Sequence, residues 1–468
     1  MKKASMLDWL IVGGGPHGVH MANCLLDRGI ALEDLGILDP NAEPLARWNH
    51  HTGNAGMSHL RSPEVHNLDI DPLSMGVHAT SDGFIAAKRE KDGARDEPDF
   101  IPPYSRPSLR LFKHQVRSIV ERTGLMSRWK LGRACSIESI EGGYQIQTEI
   151  GEQIEAVNIV LALGIGDQPN WPDWARQCKG RENQVGVYHI FSPEFRRGDI
   201  GEDHDVVIVG AGISAAQLAM SLLEMNPSRH VAMVSRHYLR KEDFDSDPGW
   251  LGPTLLKRFE AENDYGERRA MIQEARNRGS LAAEVMHTLQ DAIRDGAIRW
   301  ELAEIEGVSQ KADEGGLHLQ IRQYELDEEE YLKTGEIVSK LSDETQSLEA
   351  DTVVLATGFE SKRPGGGFVD DAIKTMSLPT ADDGFPVVDR HLRWRQGLFV
   401  MGPLAELEVG PASRNISGAR MAAERIISSL EASPDGLELR RVDPDASMLQ
   451  EDERRDLGRY PGSLIAIS

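Results

Sequence analysis

A short apolar run that breaks into closely spaced glycines and then resumes at helical spacing occurs twice in this chain. No other feature constrains its fold as strongly. In the first copy, Trp9-Leu10-Ile11-Val12 reads as a buried strand and Gly13-Gly14-Gly15-Pro16-His17-Gly18 as a G-x-G-x-x-G turn. Val19, Ala22, Leu25 and Leu26 follow at helical spacing, and Gly29 is placed to end the helix. A second strand, Leu35-Gly36-Ile37-Leu38-Asp39, ends in an acid about 20 residues past the glycines. Gly13 permits the tight turn, Gly15 lets a pyrophosphate approach the positive helix end beside Pro16 and His17, and Gly18 allows close helix–strand packing. Asp39 can accept hydrogen bonds from ribose hydroxyls. Strand, turn, helix, strand and acid, in that order, predict a dinucleotide-binding unit.

The second copy begins with Asp205-Val206-Val207-Ile208-Val209, followed by Gly210-Ala211-Gly212-Ile213-Ser214-Ala215, a G-x-G-x-x-A. Its helix runs through Leu218, Ala219, Leu222 and Leu223 and stops at Asn226-Pro227. The next strand, His230 to Val234, ends at Ser235-Arg236-His237, where no acid stands. A carboxylate would repel a 2′-phosphate, whereas Ser235 and Arg236 can bind one, with Arg240 and Lys241 adding positive charge nearby. This unit is expected to prefer NADPH to NADH.

Composition narrows the function classes. With 52 Lys+Arg against 75 Asp+Glu, the 468 residues carry a net charge of −23. That balance argues against nucleic acid, whose phosphates need clustered Lys and Arg, and against a polybasic membrane anchor. No apolar run approaches the ~18–20 residues of a membrane span. Cys24, Cys135 and Cys178 lie far apart with no C-x-x-C. That excludes a sequence-local redox dithiol and agrees with a reducing cytoplasm. His50, His51, His59 and His66 lack zinc-ligand spacing, so no metal is expected.

Two such units in one chain point to a flavoprotein, with FAD in the first and NADPH in the second. Two further apolar strands end in glycine: Val157 to Gly164, and Asp351 to Thr357-Gly358. They look like the crossover strands between the two domains of such proteins, Ala356-Thr357-Gly358 being similar to their "ATG" motif. The expected architecture is α/β, with two Rossmann-like dinucleotide-binding domains. Residues 1–165 and 349–430 would form the FAD domain in two parts, 166–348 the NADPH domain and 431–468 a polar tail. The acid-rich stretch 323–349, with Asp327-Glu328-Glu329-Glu330, reads as a solvated hairpin or loop.

The chain resembles the class B flavin monooxygenases, and among them the N-hydroxylating enzymes that act on lysine or ornithine side-chain amines. Arg47-Trp48-Asn49-His50 is similar to the family's Trp-His segment near the flavin. Asn54 to Pro63 is similar to the following Met-Gln and Leu-Lys stretch, Pro103-Tyr104-Ser105-Arg106-Pro107 to its Pro-x-Arg segment, and Phe244 to Pro248 to its Asp-Asp-Ser-Pro segment. The resemblance implies flavin contacts at Trp48, His50, Met57 and Gly164. It also implies a small-molecule substrate and O₂ as partners, with chemistry passing through a C4a-hydroperoxyflavin. Arg61, Arg106 and Asp245 are the candidate substrate-binding residues, the arginines for a carboxylate and the acid for an ammonium group. A structural ion pair is the competing reading of both arginines, and an ordinary acidic loop that of Asp245. No side chain is assigned a nucleophilic or acid–base role.

Several positions depart from the family pattern. Ser58 replaces a glutamine, Arg61 stands near a lysine in a different local sequence, and Gly402-Pro403 replaces a Gly-Asp. His189 with Phe195 matches only part of the oxygenase linker. Besides N-hydroxylation, the same two sites would serve an NAD(P)H-dependent flavoprotein reductase passing electrons to another acceptor, or a non-enzymatic redox sensor. Self-association is left open.

Overall fold

Each glycine fingerprint sits at the centre of its own sheet. The computed structural model describes residues 6–90, 97–311, 316–326 and 339–431. In the first sheet the strands lie in the order Arg393–Arg395, Leu398–Val400, Gln153–Leu161, Leu7–Val12, Leu35–Asp39 and Trp129–Leu131. The hairpin Ala134–Ile140/Gly143–Thr148 pairs against Gln153–Leu161. Leu7–Val12 is parallel to both neighbours, with Leu10 opposite Gly36 on one side and Ile159 on the other. A strand so placed is covered on both faces, which is why its sequence is continuously apolar. Trp9, Leu10 and Ile11 are accordingly fully buried. Helix Pro16–Asp27 packs on this sheet through Val19, Met21, Ala22 and Leu25 and is itself covered by helix Ile416–Glu431.

The second sheet runs Ser339–Ala350, Leu317–Leu326, Ile298–Gln310, Val231–Ser235, Val206–Val209, Thr352–Leu355 and Val187–His189. Its last five strands are parallel; the first two form an antiparallel hairpin in which Tyr324 faces Leu341. The stretch 323–349 therefore extends a sheet where it is described. Its acid run 327–330 and the tail 432–468 lie outside the described residues.

One boundary differs from the sequence reading. Thr352–Leu355 pairs with Val206–Val209 and Val187–His189, so this strand belongs to the second sheet, and the chain returns to the first domain after Leu355 rather than at 349. The fingerprint turn requires a neighbour there, because Gly210 lies against the Ala356 carbonyl. The two crossovers meet in a bridge between Pro169 and Phe359, with Asn170 N–H donating to the Gly358 carbonyl at 2.9 Å. Between Val231–Ser235 and Ile298–Gln310 the chain leaves the sheet as helices Pro253–Ala261 and Tyr265–Ala275. These bury Trp250, Leu256, Phe259 and Ile272 against Phe385 and Leu407 of the first domain.

Candidate active site

The two fingerprint turns have the same backbone construction. Gly13 has φ +115° and Gly210 φ +137°, values that only glycine adopts without strain. A Cβ on Gly13 would stand 2.5 Å from the Ala162 carbonyl oxygen, and one on Gly210 2.6 Å from that of Ala356. Each turn thus fills the crevice at the carboxyl ends of two parallel strands, where open α/β sheets bind ligands. The helices beginning at Pro16 and Ile213 start from Gly15 and Gly212, and neither start is capped by a side chain. Their first N–H groups remain available to an anion.

In the first cradle a Cβ on Gly15 would meet nothing within 4 Å, which leaves room for a pyrophosphate against the backbone. Gly18 lies so close under Gly13 that any Cβ there would collide with the Gly13 carbonyl oxygen. Asp39 ends its strand beside the turn, accepting from Gly14 N–H at 2.7 Å and from Asn41 N–H at 2.8 Å. Sequence reasoning missed the Trp129 indole, which walls the same turn against Gly14 and donates from Nε1 to the Asn41 carbonyl at 2.8 Å. His17 packs its ring under Gly402, where a Cβ would lie 3.7 Å from it. Burial, and then His20, pull the His17 imidazole down to about 4, so it is neutral at neutral pH. Together these features fit an FAD bound along the Gly13–Gly18 turn with its ribose toward Asp39.

The second cradle places Ser214 in the first helical turn and Ala215, fully buried, where the first has Gly18. Arg236 is exposed at the end of its strand, free to meet a 2′-phosphate. Ser235 is placed differently. Its buried hydroxyl donates to the His237 carbonyl and accepts from Trp300 Nε1, both at 3.0 Å.

The candidate flavin contacts outside the turns fall into two groups. Trp48, 5.0 Å from Phe112, and Met57 pack against the first core. His50 instead links the domains, its Nε2 lying 2.9 Å from the Ser192 carbonyl and 3.1 Å from Asn54 Nδ2, which also donates to the Ile190 and Phe195 carbonyls. Next to it, His51, His189, Phe191 and Phe359 form an aromatic group at the crossovers, with Phe191 and Phe359 stacked at 4.6 Å. Burial holds His51 at about 4 and His189 at about 3. Thr357 is fixed there, donating to the Asn170 carbonyl at 2.5 Å, whereas Gly164 and Gly358 face open space.

The three candidate substrate residues come together, but as one interdomain clamp. Arg61 donates to Asp245 Oδ1 at 2.7 Å, to the carbonyls of Glu242, Asp243 and Phe244, and to Ser280 Oγ. Arg106 is 0% exposed, packed against the adjoining Tyr104 and Phe244 rings and ion-paired with Asp243 and Glu284. With Arg106 buried and ion-paired and Arg61 donating from Nε, Nη1 and Nη2, these contacts favour the structural ion-pair reading of both arginines over a substrate carboxylate. Burial opposes ionisation of Asp243, but the Ala283 N–H and Arg106 outweigh it and hold its carboxyl below the ordinary range.

A second charge cluster had no signal in the sequence. Glu406 is fully buried among Arg269, Arg276 and Arg414. Burial alone would raise its pKa, yet the three guanidiniums, Arg414 foremost, bring it to about 2. Losing one partner of a buried ion pair typically costs about 3–5 kcal/mol. Among the described residues no group of His, Cys, Asp and Glu is placed to hold a metal, and no helix is long and apolar enough to cross a membrane.

Two cradles of the same backbone construction, joined by crossovers that touch, define a two-dinucleotide-binding flavoprotein. Residues 137–361 match the L-lysine 6-monooxygenase/L-ornithine 5-monooxygenase family, and residues 10–166 match an FAD-NAD(P)-binding family. The fold is that of FAD-bound DfoA, a cadaverine monooxygenase from Erwinia amylovora, at TM-score 0.66 and 14% identity, covering 99% of this chain and 100% of that one. It is also that of an ornithine N-hydroxylase from Kutzneria sp. 744, at TM-score 0.65 and 17% identity, over 91% and 99%. In sequence the chain is 23% identical over 425 residues to a probable indole-3-pyruvate monooxygenase, YUCCA1, from Arabidopsis thaliana, covering 86% of each. The chain is an FAD- and NADPH-dependent oxidoreductase, and the proteins it is similar to are flavin monooxygenases, among them enzymes that hydroxylate nitrogen.

Proposed function

We propose that this protein N-hydroxylates a small primary amine, holding FAD on the Gly13–Gly18 turn and NADPH on the Gly210–Ala215 turn. When bound, the flavin supplies the redox chemistry, accepting hydride from NADPH and activating O₂. The chain's own residues bind, orient and exclude water. Gly15 and Gly212 offer uncapped helix N–H groups to the two pyrophosphates, Asp39 receives the FAD ribose and Arg236 the 2′-phosphate. The neutral His51–His189–Phe191–Phe359 group keeps the crossovers apolar without contributing charge. The overall reaction consumes amine, O₂, NADPH and a proton and yields hydroxylamine, water and NADP⁺.

The observation that carries this reading is the pair of cradles in a chain whose cysteines form no pair. All three cysteines are free, and burial pushes the Cys24 thiol up to about 12. The substrate class follows from the clamp. With Arg61 and Arg106 engaged, neither is available for an amino-acid carboxylate, and three carboxylates (Asp243, Asp245 and Glu284) face two guanidiniums there. A diamine is therefore the first choice, ahead of lysine and ornithine. The test is hydroxylamine formed per NADPH oxidised, measured with cadaverine, putrescine, lysine and ornithine. Coupled product from a diamine supports the proposal. Peroxide without hydroxylamine from every amine, with rapid electron transfer to a quinone, would replace it with the reductase reading.

A further inference from the structure

We infer that the segment Arg276–Ser280 is the roof of the nicotinamide-dinucleotide site, and that the first domain fixes this roof through Glu406 and Arg61, which are thus positioning residues for NADPH. The inference rests on assigning that dinucleotide to the Gly210–Ala215 turn. It concerns binding and is independent of which amine is hydroxylated.

The geometry begins at Gly212. A Cβ there would stand 3.4 Å from the Gly279 Cα, so the roof passes directly over the start of the second fingerprint helix. Gly279 has φ +68°, and a Cβ on it would approach His237 Nε2 to 3.0 Å. It is thus confined between the phosphate-binding turn and the end of the strand that presents Arg236. Only glycine allows the backbone to thread this gap. At the corresponding place in the first cradle, Gly15 is open.

Both ends of the roof are tied to the first domain. Arg276, where the roof starts, donates to Glu406 Oε2 at 2.8 Å. Ser280, where it ends, accepts from Arg61 Nη2 at 2.9 Å. Between them Asn277 donates from its backbone to the Asp245 carbonyl at 2.9 Å and from its side chain to the Phe244 carbonyl at 3.0 Å. Arg61 holds that 242–245 loop as well, donating to the Glu242 carbonyl at 2.6 Å and the Phe244 carbonyl at 2.9 Å. Glu406, set among three guanidiniums, is ionised at neutral pH, so the Arg276 tether is a charge-assisted one. The first domain therefore sets how closely the second one covers its own dinucleotide.

A roof over the pyrophosphate turn acts on what NADP⁺ and NAD⁺ share, whereas Arg236 acts on the 2′-phosphate alone. Dissociation constants for both nucleotides, measured by equilibrium titration of the FAD-loaded enzyme, separate the two. Glu406→Gln should weaken both by the same factor, about tenfold as expected for losing a charged hydrogen bond. Ser280→Ala should weaken both equally by about threefold, near the low end for an ordinary hydrogen bond. In each variant the NADP⁺/NAD⁺ preference and the flavin content should stay at wild-type values, and KM for NADPH should rise more than kcat falls. Unchanged affinities in both variants would overturn the inference, as would a loss confined to NADP⁺ or a loss of flavin in parallel with nucleotide. If Glu406→Gln does not fold, Ser280→Ala decides alone. Wild-type enzyme that binds neither nucleotide would sink the assignment of the second site itself, and the roof with it.

Discussion

The two dinucleotide units share a turn and differ in almost everything around it. Gly13 and Gly210 adopt the same left-handed conformation against equivalent carbonyls, Ala162 and Ala356. Beyond that the first unit has an acid at the end of its second strand, a glycine at the third position and an open approach at Gly15. The second has Arg236, Ala215 and a roof at Gly279. A fingerprint therefore specifies backbone that can receive a pyrophosphate. Which dinucleotide is received, and how tightly it is enclosed, is set by elements outside it.

The comparison can be broken first at its third position. In the first unit Gly18→Ala drives a methyl into the Gly13 carbonyl, and overpacking of this kind costs roughly 1–3 kcal/mol or more. The purified variant should retain less than about a tenth of the wild-type flavin, read by absorbance. Ala215→Gly in the second unit should leave flavin content intact and lower Tm by a few degrees, since it removes one buried methyl and adds backbone freedom. Equal damage from both would show that the units do not pack differently.

Acidification should fall mainly on the first unit and the crossovers. Burial holds His17 and His20, on the first fingerprint helix, at about 4 against 6.5, and holds His51 and His189 at about 4 and 3. The unfolded chain thus binds more protons between pH 6.5 and about 4. The stability these groups provide is complete above pH 6.5 and is lost as pH falls through that window. Glu406, held at about 2 against 4.5, adds its own loss only below about 4.5. Flavin fluorescence should therefore report release beginning below pH 6.5, and a flat trace from pH 8 to 5 would contradict it.

Smaller effects sharpen the contrast in charge. Arg236→Ala should weaken NADP⁺ binding by about 10- to 100-fold, the range for a lost charge-assisted hydrogen bond, and leave NAD⁺ within twofold. Ser235→Ala should change neither affinity by more than about twofold, because its hydroxyl serves Trp300 and the His237 carbonyl. A large, NADP⁺-specific loss at Ser235 would mean that the hydroxyl turns outward when the cofactor binds.

Much of the cradle geometry was legible because its causes are local. Trp9–Val12 and Val206–Val209 are apolar because parallel strands are covered on both faces, and the glycines follow at fixed offsets because the turn and the helix start require them. The expectation of NADPH rested on Ser235-Arg236, of which Arg236 is exposed and Ser235 is buried. The candidate substrate residues were legible as a group, but not their partners. Arg61, Arg106 and Asp245 do converge, but charged side chains in sequence do not disclose whether their partner is a ligand or another loop.

By itself the sequence determined the fold class, the two cradles and the pair of cofactors. The tertiary structure alone decided that strand 352–355 belongs to the second sheet, that Ser235 faces inward and that Glu406 lies among three arginines. It alone placed a roof over the second dinucleotide turn. The reason is range. Turn conformation and helical spacing act over a few residues, whereas the tethers of the roof join Arg61 to Ser280 across 219 positions and Arg276 to Glu406 across 130. Such contacts exist only once two domains have folded and met.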